Sequence, residues 1–219
     1  MSMQINKLST QNSVLNHYLK EIRCVNIQSD SLRFRRNMER IGEIMAYEIS
    51  KTMAYRSEEV LTQLGTAPIN TINEGIVIST ILRAGLPFHT GFLNYFDAAE
   101  NAFVSAYRQY KDPHNFEIFI EYIASPNLDG KTLIICDPML ATGSSMELAY
   151  SALLTKGTPA HVHIAAVIAS QAAIDFVSTT FPDSTTTIWV AAIDPHLNAH
   201  AYIVPGLGDA GDLAYGEKL

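Results

Sequence analysis

The sequence predicts an α/β fold built on a mainly parallel sheet with helices on its faces. Short apolar runs rich in β-branched residues recur along the chain, and helix-like stretches separate several of them. The length of 219 residues is typical of one domain. With 47% hydrophobic and 17% charged residues, the chain can bury a sizeable core, which argues against disorder.

The N-terminal part of the chain divides at residue 28. Residues 1–28 are of mixed polarity and are expected to form an arm, and 29–219 are expected to form a single domain. A helix is predicted over 31–55, with N-cap oxygens at Asp30 and its serine neighbours. One apolar stripe at helical spacing supports this helix, made of Phe34, Met38, Ile41 and Met45. The arginines near its start are Arg33, Arg35 and Arg36. They are assigned to a solvated or subunit-contacting face, and anion binding is the alternative.

The rest of the chain alternates between predicted strands and predicted helices. Buried strands are predicted from continuous apolar runs at 75–82, 102–106, 116–123, 132–136, 162–169 and 187–193. Helices are predicted between several of these runs, at 85–96, 145–156 and 171–180. This alternation favours parallel connections, and ligands on such sheets bind where loops leave the carboxyl ends of strands.

The segment 131–147 carries the clearest chemical signal. A buried strand ends at an acid, Asp137, and a short loop leads to Thr-Gly-Ser-Ser at 142–145, where a helix begins. Backbone N–H groups of a glycine-containing turn that continues into a helix N-terminus hold phosphate, and the hydroxyls add donors. Asp137 can accept hydrogen bonds from vicinal sugar hydroxyls. The segment predicts a seat for a ribose 5-phosphate; the alternative is a plain turn and helix cap.

Other known phosphate-binding and nucleophile motifs are absent from the sequence or lack the structural context that they require. The Gly-x4-Gly-Lys-Ser/Thr pattern of Walker-type NTPases is absent. Residues 206–211 match the Gly-x-Gly-x-x-Gly dinucleotide fingerprint, but too little chain follows for the helix and strand of a βαβ unit. A nucleophile elbow around Ser145 fails because Glu147 replaces its last glycine.

Composition excludes several classes of protein. Fifteen lysines and arginines against 22 acids give a net charge of −7, which argues against a long nucleic-acid-binding face. Cys24 and Cys136 alone make neither a disulfide framework nor a four-cysteine zinc site. The chain has no run of eighteen apolar residues and no apolar signal segment in 1–20, so no membrane span is predicted and a cytoplasmic location is expected.

Four short blocks carry a family resemblance. They read Ile-Leu-Arg-Ala-Gly-Leu at 81–86, Tyr-Arg at 107–108, Asp-Pro-Met-Leu-Ala-Thr-Gly-Ser-Ser at 137–145, and Tyr-Ile-Val-Pro-Gly-Leu-Gly-Asp-Ala-Gly-Asp at 202–212. In this order and spacing they resemble the uracil phosphoribosyltransferases, whose strand-end Asp-Pro replaces the paired acids of other phosphoribosyltransferases. The resemblance covers roughly 30–218.

The resemblance implies a reaction and an architecture. Uracil and 5-phospho-α-D-ribose 1-diphosphate (PRPP) would give UMP and diphosphate, in pyrimidine salvage, with Mg²⁺ as cofactor. The fold would be of the phosphoribosyltransferase type I, with a small base-binding hood, an N-terminal arm and helix, and a uracil-binding loop near the C-terminus. A homodimer or homotetramer and GTP as an effector are also implied, with no nucleic-acid or membrane partner.

The resemblance also implies roles for individual residues. Arg83 and Arg108 would grip PRPP, since guanidinium groups bind diphosphate bidentately. The PRPP loop would be formed by Asp137, Pro138, Met139, Leu140, Ala141, Thr142, Gly143, Ser144 and Ser145. Uracil would be read by the main chains of Ile203, Gly208 and Ala210, with Asp209 beside both substrates. Catalysis is assigned to Arg83, Asp137 and Asp209.

No dedicated metal cluster is expected. Mg²⁺ keeps several waters and takes oxygens from diphosphate and ribose, so Asp209 is the one carboxylate suggested for it. The histidines are assigned packing or surface roles: His161, His163, His196 and His200. Cys136, inside a predicted strand, is read as a buried structural residue.

One departure from the family and two rival functions stay open. The family commonly has Gly-Gly-Ser where this chain has Gly-Ser-Ser at 143–145, so the side chain of Ser144 could crowd the phosphate or restrict a turn with positive φ. The rival functions are a non-catalytic nucleotide-binding or regulatory relative, and a phosphoribosyltransferase that uses another base.

Overall fold

Strands and helices alternate along most of the chain. The computed structural model describes residues 3–112 and 115–218, with the side chains of 3–105 and 120–218. The strands are β1 (Gln4–Lys7), β2 (Tyr55–Leu61), β3 (Thr66–Ile72), β4 (Ile76–Leu82), β5 (Glu100–Asp112), β6 (Asn115–Ala124), β7 (Thr132–Cys136), β8 (Met139–Leu140), β9 (His161–Ser170), β10 (Thr186–Asp194), β11 (His196–Leu197) and β12 (Ile203–Val204). The helices are α1 (Leu15–Arg23), α2 (Val25–Gln28), α3 (Ser31–Ser50), α4 (Leu86–Leu93), α5 (Ser144–Leu153), α6 (Gln171–Thr180) and α7 (Ala210–Tyr215).

The central sheet contains eight of the described strands, in the order β1-β10-β9-β7-β4-β5-β6, with β8 paired to β9. Its strand pairs are parallel except for the β5–β6 hairpin, so the predicted mainly parallel α/β class is confirmed. The strand order reverses between β4 and β7, where Thr80 lies opposite Cys136. Open α/β sheets bind ligands at such a reversal, outside the carboxyl ends of the strands.

Alternate residues of the central strands face two separate cores. Ile78 and Ile134 pack with α1, α3 and α4 on one face, whereas Val77 and Leu133 pack with α5 and α6 on the other. Side chains on a strand alternate between its faces, so a sheet that is covered on both faces needs apolar residues at every position. This explains the continuous apolar runs in the sequence.

The predicted elements of the sheet are present, with some changes in their bounds. β7 and α6 match the predicted ranges 132–136 and 171–180. β5 continues past the predicted end at 106 to Asp112, through a polar stretch that no apolar pattern marks. The loop predicted after Asp137 contains the two-residue strand β8, which pairs with β9.

α3 buries the predicted apolar stripe. Phe34, Met38, Ile41 and Met45 are at most 1% exposed, and the Asp30 side chain caps the helix by accepting from the Arg33 amide at 3.0 Å. The helix ends at Ser50, before the predicted end at 55. The Ser50 and Thr52 hydroxyls donate to carbonyls three residues earlier, a bonding pattern that competes with the helix.

Two regions that the apolar patterns left without structure are ordered. Within the predicted arm, β1 pairs with β10 at the edge of the sheet, and Leu15 and Ile22 of α1 are buried. The division at residue 28 stays a prediction. β2 and β3 form an antiparallel hairpin of mostly exposed residues, so its strands lack the apolar runs of the central sheet. Among the described residues, no helix is long and apolar enough to cross a membrane.

Candidate active site

A cavity of about 570 Å³ opens at the carboxyl edge of the sheet, beside the reversal between β4 and β7. Five parts of the chain form its wall: the end of β4 with the turn after it, the segment from Asp137 through β8 to Ala141, the start of α5, the segment 201–211, and Lys218. The lining residues are Ile81, Leu82, Arg83, Ala84, Asp137, Met139, Ala141, Ser145, Ala201, Tyr202, Ile203, Gly208, Asp209, Ala210, Gly211 and Lys218. The volume suits a small-molecule ligand.

The cavity brings together most of the residues predicted for the two substrates. Among the described residues, those that are predicted to bind PRPP or uracil and that line the cavity are Arg83, Asp137, Met139, Ala141, Ser145, Ile203, Gly208, Asp209 and Ala210. Other members of the predicted loop are not on the wall: Pro138, Leu140, Thr142, Gly143 and Ser144. The side chain of Arg108 lies outside the described residues. The ligand contacts of all these residues stay predictions.

The strand-end acid is held by the backbone around it. The Asp137 amide donates to the Ala165 carbonyl at 3.0 Å, which continues the pairing of β7 with β9. Its Oδ1 accepts from the Met139 amide at 3.1 Å, so the carboxylate folds over the start of the loop. Burial and the nearby Asp137 raise the pKa of the Cys136 thiol, which is fully buried as predicted and stays neutral.

The loop turns into α5 through one left-handed residue. Gly143 has φ +87°, whereas Ser144 begins the helix. The Ser144 amide donates to Thr142 Oγ1 at 3.3 Å, and that hydroxyl donates to Ser144 Oγ at 3.2 Å. The first amides of a helix lack intrahelical acceptors, so the start of α5 can donate to an anion. The family commonly has glycine where this chain has Ser144. Because the positive φ is at Gly143, the serine side chain does not occupy a position that requires glycine.

Substitutions at 143 and 144 should have unequal effects. A Cβ on Gly143 would lie 2.6 Å from Phe176 Cδ1, in a left-handed conformation that costs other residues about 1–2 kcal/mol. We expect Gly143→Ala to lower the free energy of unfolding by at least that amount and to raise the KM for the phosphorylated substrate. Ser144→Gly should change stability by about 1 kcal/mol at most. Denaturant unfolding and steady-state kinetics test both variants. Equal effects of the two substitutions on stability and KM would contradict the conclusion that glycine is required at 143 and not at 144.

Arg83 reaches the cavity from a tight turn after β4. Its Nη2 donates to the Gly216 carbonyl at 3.2 Å and lies 3.7 Å from Asp212 Oδ1, so it also contacts the chain around α7. The Leu82–Arg83 peptide bond is cis. The turn requires Gly85, because a Cβ there would lie 2.1 Å from Thr80 Oγ1 and 2.7 Å from the Ile81 carbonyl oxygen. Close packing thus sets the direction of the turn that carries Arg83.

The opposite wall is formed by the β11–β12 pair and the start of α7. Ile203 is buried and pairs with Leu197 of β11. Gly208 has φ +95° with open space around the position of a Cβ, so its backbone faces the cavity without a side chain in the way. Asp209 caps α7 by accepting from the Asp212 amide at 3.0 Å. The C-terminal segment predicted to bind uracil thus forms one side of the cavity.

A sequence model of the uracil phosphoribosyltransferases matches residues 9–217. This chain belongs to the uracil phosphoribosyltransferase family. A uracil phosphoribosyltransferase of Porphyromonas gingivalis is 64% identical over 217 residues, which is 99% of this chain and 100% of the relative. One of Methanothermobacter thermautotrophicus is 41% identical over 207 residues, covering 94% of this chain and 93% of the relative.

Two solved structures share the fold of this chain. The AQ2163 protein of Aquifex aeolicus superposes with a TM-score of 0.86 at 32% identity, covering 97% of this chain and 98% of that protein. A hypoxanthine phosphoribosyltransferase of Staphylococcus aureus superposes with a TM-score of 0.51 at 13% identity, covering 85% and 84%. The second likeness concerns the fold, which is the predicted type I phosphoribosyltransferase fold.

Several side chains around the site of this uracil phosphoribosyltransferase family member carry no sequence signal. Lys218 lines the cavity from the end of the chain. Arg35, assigned to a solvated or subunit-contacting face, donates to the Ala214 carbonyl at 2.6 Å and so holds α7 against α3. Arg23 donates to the Gly206 carbonyl, and Asp194 accepts from the Gly206 amide. These contacts join distant parts of the chain, so no local spacing reveals them.

The four histidines considered in the sequence are not among the residues that line the cavity, and they have packing or surface positions, as predicted. Trp189 Nε1 donates to His163 Nδ1 at 3.0 Å, and burial lowers the pKa of His163 to about 3, so the ring stays neutral. His161 Nε2 is 3.0 Å from Thr187 Oγ1, at the amino end of β9, on the edge opposite the cavity. His196 and His200 are exposed.

Proposed function

We propose that this chain transfers the 5-phosphoribosyl group of PRPP to uracil, forming UMP and diphosphate in pyrimidine salvage. One observation carries the proposal. In a member of the uracil phosphoribosyltransferase family, a single cavity is lined both by the strand-end acid with its phosphate-loop neighbours and by the glycine-rich 203–210 segment. A sugar phosphate and a pyrimidine base can therefore sit side by side.

The proposed reaction exchanges one bond at ribose C1 for another. The bond from C1 to the diphosphate oxygen breaks, a bond from C1 to a uracil ring nitrogen forms, and the proton that this nitrogen carried is released to solvent. Positive charge develops on the sugar while negative charge grows on the leaving diphosphate. Arg83 donates to the diphosphate, and the first amides of α5 with the Ser145 hydroxyl hold the 5′-phosphate. Asp137 accepts from the ribose hydroxyls and orients the ring.

The base is held by main-chain groups in this proposal. Uracil presents two carbonyl acceptors and ring N–H donors, which backbone amides and carbonyls can match. Ile203, Gly208 and Ala210 supply these groups, and the open space at Gly208 supports a close approach. Asp209 lies between the base segment and the sugar, where its negative charge stabilises the developing positive charge.

The donor set of the cavity fits Mg²⁺ as the proposed cofactor. Among the described residues, no group of three or more His, Cys, Asp or Glu side chains could hold a metal ion. Asp137 and Asp209 do line the cavity, and Mg²⁺ is commonly held by one or two carboxylates together with substrate oxygens and water. Asp209 is the residue proposed to hold it, and bound Mg²⁺ would neutralise charge on the diphosphate.

Product formation tests the proposal directly. Purified protein with PRPP, Mg²⁺ and labelled uracil is expected to yield UMP, and excess EDTA should stop the reaction until Mg²⁺ is restored. PRPP binding without UMP formation would favour the non-catalytic relative. Turnover of hypoxanthine, adenine or orotate, but not uracil, would favour a phosphoribosyltransferase for another base. Either of these results would overturn the proposal.

The remaining expectations belong to the same proposal. A homodimer or homotetramer is supported by exposed apolar side chains on the β2–β3 hairpin, where Leu61 is 84% and Leu64 100% exposed. A cytoplasmic location suits a phosphorylated, highly charged substrate. Activation by GTP, and the division into an arm at 1–28 and a domain at 29–219, stay predictions.

A further inference from the structure

A partly buried ion pair holds the turn that lies between two of the proposed base contacts, Ile203 and Gly208. Arg23, the last residue of α1, donates from Nη1 to Asp194 Oδ2 at 2.7 Å and from Nη2 to Asp194 Oδ1 at 2.9 Å. Asp194 is the last residue of β10, so the pair joins two elements that are 171 residues apart in sequence. The two-pronged geometry fixes the relative orientation of both side chains.

The same pair binds both polar backbone groups of Gly206. Arg23 Nη1 donates to the Gly206 carbonyl at 3.0 Å, and the Gly206 amide donates to Asp194 Oδ2 at 2.9 Å. The turn is tight, because a Cβ on Gly206 would lie 2.1 Å from the Ile203 carbonyl oxygen, and φ there is +56°. A shift of Gly206 would therefore move Ile203 on one side and Gly208 on the other.

Limited exposure of both side chains makes this arrangement sensitive to the loss of either partner. The side chain of Asp194 is 8% exposed and that of Arg23 is 23% exposed. Removing one member of a buried ion pair leaves the other charge without compensation. The Arg33–Glu21 pair offers a contrast nearby, since the Arg33 side chain is 50% exposed and bonds no residue of the cavity wall.

We propose that Arg23 and Asp194 are positioning residues that set the affinity for uracil by holding the turn at Gly206, an inference that rests on the proposed function. Neither side chain lines the cavity, so both act through the backbone of 203–208. The PRPP side of the cavity is built from β4, β7 and α5, which make none of these hydrogen bonds. The effect should therefore be specific to the base.

Steady-state formation of UMP by Arg23→Ala and Asp194→Asn tests this proposal. For each variant we expect the KM for uracil to rise on the order of tenfold, because small displacements of binding groups are costly. The KM for PRPP should stay within about twofold. In the double variant, the KM for uracil should exceed that of the more affected single variant by about twofold at most, since the two residues act as one unit.

Two further variants separate positioning from folding. Arg23→Lys keeps the charge but loses the planar fork, so a rise of about threefold in the KM for uracil is expected even if Arg23→Ala does not fold. The control Arg33→Ala should leave both KM values unchanged. An unchanged KM for uracil in Arg23→Lys and Asp194→Asn, or equal rises for both substrates, would overturn the inference. A wild-type protein that forms no UMP would instead overturn the proposed function.

Discussion

Asp209→Asn is expected to lower kcat on the order of 10²–10³-fold while the protein stays folded. Asp209 lines the cavity beside the proposed base contacts Gly208 and Ala210, and its carboxylate is the group proposed to face the sugar. The substitution removes one negative charge from that position and leaves the size of the side chain almost unchanged. Loss of a group that stabilises charge in the transition state lowers kcat and kcat/KM together.

The folded structure should tolerate this change because of the second role of Asp209. Its Oδ1 caps α7 by accepting from the Asp212 amide at 3.0 Å. Asparagine is as good an N-cap residue as aspartate, and its carbonyl oxygen can accept the same hydrogen bond. The midpoint of thermal unfolding should therefore move little, and the loss of turnover should not come from unfolded protein.

Asp30→Asn provides a matched control for this experiment. Asp30 caps α3 in the same manner, accepting from the Arg33 amide at 3.0 Å, and it does not line the cavity. Both variants replace a capping aspartate, but only one of them faces the proposed substrates. Near-normal turnover by Asp209→Asn would remove this residue from the catalytic group, and an equal loss in Asp30→Asn would assign the effect to helix capping.

Local patterns predicted the parts of the site that lie close together in sequence. The strand–acid–loop–helix order at 131–147 appears as β7, Asp137, β8 and α5, because a buried strand, a glycine turn and a helix start each have a short-range signature. The same holds for α3, where apolar residues at helical spacing are buried and Asp30 supplies the cap.

The parts that escaped prediction depend on contacts between distant segments. Arg23 lies in a stretch of mixed polarity, and its partner Asp194, 171 residues later, is the last residue of the apolar strand β10, so neither local sequence points to the other. β1 is only four residues long and mostly exposed, and its strand identity comes from pairing with β10. Such features follow from the completed sheet rather than from local propensity.

Arg83→Ala is expected to raise the KM for PRPP on the order of 10- to 100-fold, with less than about a threefold change in the KM for uracil. The guanidinium reaches the cavity from the turn after β4, on the wall that also holds Asp137. Hydrogen bonds from a charged donor to a diphosphate are among the stronger polar contacts. Arg83→Lys should fall between wild type and alanine, because lysine keeps the charge without the bidentate geometry.

A second contact of Arg83 has to be separated from phosphate binding. Its Nη2 donates to the Gly216 carbonyl and lies 3.7 Å from Asp212 Oδ1, so truncation also frees the chain end that carries Lys218. Asp212→Asn weakens this docking while leaving the arginine in place, and it should change the KM for PRPP by less than about threefold. An equal effect of Asp212→Asn and Arg83→Ala would assign the role of Arg83 to docking of the chain end.

The dependence on salt supplies an independent measurement of the same assignment. If Arg83 contacts a diphosphate, added salt should raise the KM for PRPP in the wild type more steeply than in Arg83→Ala, because screening acts on one charge contact fewer in the variant. The KM for uracil, a neutral base, should depend weakly on salt in both proteins. A larger effect of Arg83→Ala on the KM for uracil than on the KM for PRPP would move this residue to the base side of the cavity.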